Sequence, residues 1–506
     1  MPRARLRILP FVVVLVILSL VLGAQGALAV TFTHSVASGD VTPFSVLLWT
    51  RVDQEVKLTV EVSTDQTFAT RTQHRTVLAA ADNDFTAKVF IAPLRPHHQY
   101  FYRWRYGDVL SEVGTFRTAP LPSVSAHVRF AYSGDSDGIQ VDGVPVFNNF
   151  ETLDAARREG LDFFIYLGDT IYTDSEILGI SPAVTLDEYR ELYKANRDFP
   201  ALRALLQATS IYAIWDDHEV RNNFAGQTVD PLLYATGRQA FLEYMPLLAL
   251  HRLHDPTCAG TPLFRVFPWG KDVLLIILDE RSCRSGSVAE VCQGDPLPTL
   301  PAGLRTQLGL PASPPPGCLE ALFDPARTML GPLQKAALKA ILRHSSAKFK
   351  FIINGVPIQQ FYGMPYDRWE GYGAERNEIL SFIQDHHIEH VTFLTTDTHA
   401  NLINQVFIDR FLAPEPIAQE FVTGPIATTT LQTATLALAG PAGLLGFNAI
   451  LDLVGVQCRH LDAYSYGLVD VDVRVGTATI TLKDENGKVL VDQQNPAVLC
   501  TKTIGP

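Results

Sequence analysis

Four short clusters of oxygen and nitrogen donors fall in order along this chain. They are Ser133-Gly134-Asp135-Ser136-Asp137, Gly168-Asp169-Thr170-Ile171-Tyr172, Trp215-Asp216-Asp217-His218-Glu219 and Asp397-Thr398-His399. Each follows a short apolar run rich in β-branched and aromatic residues, at 128–132, 163–167, 211–214 and 391–394. Such runs read as buried strands, so each cluster is expected where a strand leaves its sheet, and side chains delivered there from several strands converge on one point. Gathering that many carboxylates is costly unless cations neutralise them, so the pattern predicts a di- or trinuclear metal site.

The elements that must position these clusters follow from patterning. Strand-type segments at 45–50, 58–62, 87–91, 100–104 and 114–118, separated by turn residues, predict an all-β sandwich of the fibronectin type over 30–122. Ala119-Pro120-Leu121-Pro122-Ser123 reads as a short stiff linker. Beyond it strands and helices alternate, with helices expected at 150–158, 186–196, 201–207, 332–343 and 374–385 and strands at 273–278, 349–353 and 390–395. Alternation of this kind implies an α/β domain over 123–506, whose ligands gather at the carboxyl ends of strands. The Pro/Gly-rich stretch at 282–325 holds three cysteines and reads as a pinned flap.

Length and composition bound the class. At 506 residues the chain suits two to four domains, and 47% hydrophobic with 10% aromatic residues suffices for packed cores. The net charge of −12 argues against binding long nucleic acids by counterion release, while leaving a small phosphate ester in a buried site open. Arg3, Arg5 and Arg7, the apolar run at 11–22 and Ala27-Leu28-Ala29 read as a secretory signal peptide over 1–29, cleaved before Val30. The competing reading, an uncleaved anchor, has an apolar run short of the ~20 residues a span needs. No other segment is expected to span a membrane, since the apolar 436–453 stretch is broken by Gly440, Pro441, Gly443 and Gly446. The six cysteines, at 258, 283, 292, 318, 458 and 500, suit an oxidising compartment and three disulfides whose pairing stays open. None has the spacing of a zinc site.

Gly-Asp-x-x-Tyr followed by Trp-Asp-Asp-His-Glu, with a β-sandwich in front and Asp-x-His behind, resembles the PhoD-type alkaline phosphatases, exported members of the calcineurin-like metallophosphoesterases. The resemblance extends to Thr328-Met329-Leu330-Gly331-Pro332-Leu333-Gln334, to Asp367-Arg368-Trp369-Glu370-Gly371-Tyr372 and to Glu375-Arg376. It implies a layered α/β fold of mixed sheets flanked by helices, behind the β-sandwich. It also implies Asp169 as a metal bridge and Tyr172 as the phenolate ligand of Fe³⁺, similar to purple acid phosphatases. Ca²⁺ would take the neighbouring positions.

By position, Asp217 would hold the second metal, His218 would contact phosphate and protonate the leaving group, and Asp397 and His399 would complete the ligands, with Asn222 or Asn223 as an extra. Asp135 stands where the family commonly has cysteine, which favours a harder ion and leaves Mn²⁺ or Mg²⁺ as alternatives. It matches the first aspartate of the wider superfamily, with Asp137 at that motif's histidine. Asn354, Asp367, Trp369 and Arg376 are expected in the pocket wall. The implied reaction is hydrolysis of a phosphate ester by metal-activated water with an alkaline optimum. The chain lacks the adjacent arginine pair of twin-arginine export signals, which points to the general export route.

Bland alternatives compete with each motif. Asp135 and Asp137 suit a turn, Asp169 a helix cap, and Tyr172 a core. Three other functions share the residues: an exported binding or adhesion protein with structural metals, a hydrolase of sulfate esters or cyclic nucleotides, and a phospholipase-D-like phosphodiesterase. The order of the motifs along one chain favours the phosphatase. Oligomeric state is not legible.

Overall fold

The computed structural model describes residues 30–505 apart from 71, 176, 178 and 249–254. The expected signal peptide at 1–29 lies outside the described residues. Two sheets face each other at the centre. The first has nine strands in the spatial order Thr501–Ile504, Thr477–Asp484, Ser465–Asp472, Val128–Ser133, Phe163–Leu167, Ser210–Ile214, Phe32–Gly39, Val46–Val52 and Thr86–Ile91. The second has seven: Arg265–Trp269, Val273–Ile277, Phe349–Asn354, Val391–Thr395, Ala418–Val422, Asn401–Val406 and Cys458–His460.

The middle strands of each sheet run parallel. They are apolar on both faces because both faces are covered. Between the sheets, Phe130 meets Phe351 edge-on at 5.4 Å and Phe163 lies 4.5 Å from Trp269, so one core spans both layers. Glu151–Arg157, Leu186–Asp198 and Pro200–Ala208 cover the outer face of the first sheet, and Gly331–His344 and Gly373–Asp385 cover that of the second. The result is the expected layered α/β fold of mixed sheets between helices.

The N-terminal β-sandwich is also present. Its outer sheet pairs Gln73–Ala79, Val56–Ser63 and Gln99–Tyr106, with Gly114–Arg117 on the last of these. Its inner sheet is Phe32–Gly39, Val46–Val52 and Thr86–Ile91. That inner sheet does not stop at the sandwich, because Phe32–Gly39 pairs in parallel with Ser210–Ile214 and extends the nine-stranded sheet. The junction needs glycine at 39, where a Cβ would lie 2.2 Å from the Pro246 carbonyl oxygen and 2.8 Å from that of Ile211.

All six cysteines are paired, as Cys258–Cys283, Cys292–Cys318 and Cys458–Cys500. The 282–325 stretch is pinned by two of these bridges and carries short helices at Ala302–Gln307 and Cys318–Leu322. The apolar stretch read as broken is helical over Leu431–Val454, leaving helical geometry only at Gly440 (φ 64°) before Pro441. Among the described residues it is the one helix with the length and hydropathy for a membrane span. This corrects the expectation that no other segment has the length and apolarity of a span: the glycines and Pro441 bend the helix without ending it, although length and composition alone are weak grounds for a span.

Candidate metal centre and active site

Strand ends build the site. Val128–Ser133 delivers Asp135, Phe163–Leu167 delivers Asp169, Ser210–Ile214 delivers Asp216 and Asp217, and Val391–Thr395 delivers Asp397 and His399. Asp135, Asp169, Asp397 and His399 all adopt positive φ, at 59°, 47°, 70° and 52°. Non-glycine residues avoid this region unless the surroundings enforce it, and it concentrates at functional sites. Backbone hydrogen bonds hold these turns: the Asp397 amide donates to Asp135 Oδ1 (3.2 Å), the Asp135 amide to the Gly168 carbonyl (3.3 Å), the Ser136 amide to the Asp169 carbonyl (2.8 Å) and the Leu431 amide to the His399 carbonyl (2.9 Å), while the His218 amide donates to Asp169 Oδ1 (3.2 Å).

Three sets of ligating atoms each lie within 4.8 Å of one another: Asp135, Asp169 and His399; Asp169, Asp217 and His218; and Asp216, Asp217 and Asp397. Asp169 joins the first two sets and Asp217 the last two. Asp135 Oδ2 and Asp217 Oδ1 are buried with no hydrogen-bond partner. Orphaned carboxylate oxygens are expensive in a buried site, and a cation among them satisfies both. The donor set therefore fits metal ions with carboxylate and imidazole ligands.

Electrostatics agree. Burial, followed by repulsion from neighbouring aspartates, pushes the Asp169 carboxyl well above its usual range. Burial does the same to Asp135 and Asp397, aided by the charge of Asp216. The Asp217 carboxyl is held low instead: burial opposes ionisation, but the Arg281 guanidinium, 3.6 Å away, and His218 outweigh it.

Two histidines are set in opposite states. His399 Nδ1 lies 2.8 Å from the Thr429 carbonyl, which can only accept, so its proton sits on Nδ1 and the bare Nε2 faces the Tyr172 hydroxyl at 3.1 Å. Burial lowers its pKa to about 4, keeping the ring neutral. His218 stacks on Tyr172 at 4.1 Å between ring centres and presents Nδ1 to Asp174 Oδ1 at 2.7 Å. Burial would lower its pKa, but Asp217 and Asp174 raise it to about 9.

Of the residues singled out in sequence, the structure brings together Asp135, Asp169, Tyr172, Asp217, His218, Asp397 and His399. It places Asp137 differently, with its carboxylate accepting from the Ser175 hydroxyl (2.6 Å) and the Ile139 amide (3.0 Å), outside the three ligand sets. Asn222 is exposed and gives its backbone amide to Asp174. Only Asp367 of the four wall candidates lines the cavity at the site. Arg376 is buried and spends its guanidinium on the Ile358, Phe407 and Ile408 carbonyls, while Trp369 donates to Glu280 and to Asn354 in the core.

Sequence reasoning missed Asp174, Arg281 and Arg284. Arg281 clamps Asp216 (2.6 and 3.0 Å) and Asp367 (2.9 and 2.8 Å), and Arg284 also holds Asp367. Arg281 lies just past the strand Val273–Ile277, so the strand-end rule that found the aspartates would have found it too.

Comparison with known proteins fits this geometry. The family model described as "PhoD-like phosphatase" matches residues 141–481, and its N-terminal domain model matches 21–120. The chain belongs to the PhoD-like phosphatase family. Alkaline phosphatase D of Bacillus subtilis (strain 168), a relative of this PhoD-like chain, is 27% identical over 418 residues, spanning 75% of this chain and 66% of that protein. A solved structure titled "Structure of PhoD" superposes with a TM-score of 0.73 at 23% identity, covering 93% of this chain and 89% of the other. Purple acid phosphatase PPD1 from yellow lupin (Lupinus luteus) seeds shares the fold at a TM-score of 0.57 and 11% identity, covering 94% and 74%.

Proposed function

We propose that this chain is a metal-dependent phosphoric ester hydrolase acting on phosphate mono- or diesters. The observation that carries the reading is the linked set of buried carboxylates with two orphaned oxygens, beside a histidine whose ring is held through Nδ1 by Asp174. Asp135, Asp169, Tyr172, Asp217, Asp397 and His399 would hold the ions. Bound there, metals supply polarisation of the phosphoryl oxygens and a lowered pKa for water.

The protein's own residues do the rest. Asp174 fixes the His218 ring through Nδ1, leaving Nε2 to give a proton to the departing alkoxide. Arg281 compensates the charge of Asp216 and Asp217 on one side of the cluster, which orients both carboxylates and favours the ionised form of Asp217. Tyr172, poised against His399 Nε2, suits Fe³⁺, and the carboxylates beside it suit Ca²⁺. The alkaline optimum rests on likeness to the Bacillus protein's name. Export rests on the three disulfides.

The test is elemental analysis of the purified protein together with hydrolysis of p-nitrophenyl phosphate and bis-p-nitrophenyl phosphate, with and without chelator. Bound metal with chelator-sensitive turnover is expected, and a visible absorption band lost in Tyr172→Phe would identify iron at the phenol. Metal without turnover of either ester would overturn the reading.

A further inference from the structure

The metal-ligand cluster opens into a cavity of about 670 Å³ whose far walls have a different character. Asp397 and His399 lie at one end. Beyond them the lining is mostly apolar, with Leu297 and Phe361 from the loops and Leu431, Phe447 and Ile450 from the kinked helix. The two charged side chains that also line it are already engaged, Asp367 by Arg281 and Arg284 and Arg368 by the Gly363 and Met364 carbonyls. From 431 to 451 that helix carries no charged residue. It keeps the cavity open with small residues, Ala439, Gly443 and Gly446, where larger ones would fill it. Past the cavity the same helix stays apolar at the surface, with Leu438 89% and Leu445 73% exposed.

A phosphate held at Asp397 and His399 has this groove directly beside it, so one ester substituent can lie along it. The volume is that of an ordinary ligand pocket. A sugar or polyol there would lose water from its hydroxyls and meet few partners, which is costly, whereas methylenes gain by leaving water.

We propose that the groove between Leu431–Val454 and the 296–297 and 361–364 segments is a subsite for the hydrocarbon chain of the substrate, so that the preferred phosphate ester is an amphiphile. This rests on the phosphoesterase reading above and adds the substrate class to it. Leu438 and Leu445 continue the apolar track for a chain longer than the cavity.

Ethyl and octyl p-nitrophenyl phosphodiesters, used on the full metal-loaded chain below the concentration at which the octyl ester aggregates, test the idea. The expected octyl-to-ethyl ratio of kcat/KM is at least about tenfold, a fraction of what full burial of the added methylenes would give. Gly446→Trp is the blocking variant, since an added Cβ there meets nothing within 4 Å, and it should bring the ratio to within about twofold of one. Calorimetry of octylphosphonate against methylphosphonate should show the same preference and the same loss.

Turnover of both esters at equal efficiency, with equal binding of both phosphonates, overturns the subsite and leaves the phosphoesterase standing. Failure to turn over either ester overturns the phosphoesterase reading, and the phosphonate arm then decides on the groove by itself.

Discussion

His218 lies between two carboxylates with different tasks. Asp217 belongs to two of the ligand sets that could hold a metal ion, whereas Asp174 touches only the far nitrogen of the ring and, through its other oxygen, the Asn222 amide at 2.8 Å. His218→Ala should therefore lower kcat by about 10²–10⁴, the usual worth of a positioned acid. Asp174→Asn should lower it by about 10–100-fold through loss of ring orientation alone. Circular dichroism and bound metal should be nearly unchanged in the latter, and equal losses in the two variants would deny the orienting role. Gly424 makes a second residue-scale case. Its φ is 114°, and a Cβ would lie 2.6 Å from Asp135 Oδ2, the orphaned oxygen. Gly424→Ala should push that carboxylate aside and strain the backbone by ~1–3 kcal/mol. Metal content should fall along with activity, and an Ala variant with full metal occupancy would show that Asp135 is not a ligand. The aspartates were legible because each sits behind an apolar run. Asp174 was not, because its partner His218 is 44 residues away in sequence and their contact depends on how two loops fold over the sheet ends.

At the scale of elements, most helices and strands were readable because their periodicity is strong. Thr185 and Glu188 close a capping box at the start of Leu186–Asp198, and Pro at the first turn opens Pro200–Ala208, Pro231–Tyr244 and Gly331–His344. The Leu431–Val454 helix escaped because glycine and proline signal a break locally, while the chain bends at Gly440 and resumes the helix. The strand Phe32–Gly39 holds the clearest titration. His34 is packed there at φ 59° with Nδ1 lacking a hydrogen-bond partner, and burial lowers its pKa to about 4, with Arg51, Arg197 and Arg203 adding to the effect against Asp198. Since the folded value lies below the ordinary 6.5, the unfolded chain binds more protons between the two, and stability present above pH 6.5 is lost as pH falls toward about 4. His34→Asn tolerates the same backbone and does not titrate. Its melting temperature should fall less than that of the parent between pH 7 and pH 4.5, and parallel declines would show that His34 does not contribute.

For the whole molecule, the boundary near residue 122 suggested by the Pro-rich linker separates segments of sequence more than it separates cores. Local patterning showed a β-sandwich correctly, but a pairing between residues 39 and 211 leaves no trace in either segment alone. In the fold, Phe32–Gly39 continues the catalytic sheet, the Trp49 indole donates to the Glu243 carbonyl at 2.8 Å, and Arg197 stacks over Trp49 at 4.0 Å. One hydrophobic core contains both Trp49 and Phe163. Removing 30–122 would thus expose the edge of Ser210–Ile214, the strand that carries Asp216 and Asp217, and uncover an apolar face on the helix Pro231–Tyr244. A chain lacking 30–122 should be insoluble or, if recovered, should lose metal and turnover together, because the strand that aims Asp217 has lost its neighbour. A soluble truncation with parental kcat on p-nitrophenyl phosphate would instead show that the sandwich is an appended module, and that the six strands remaining in the first sheet aim the ligands unaided.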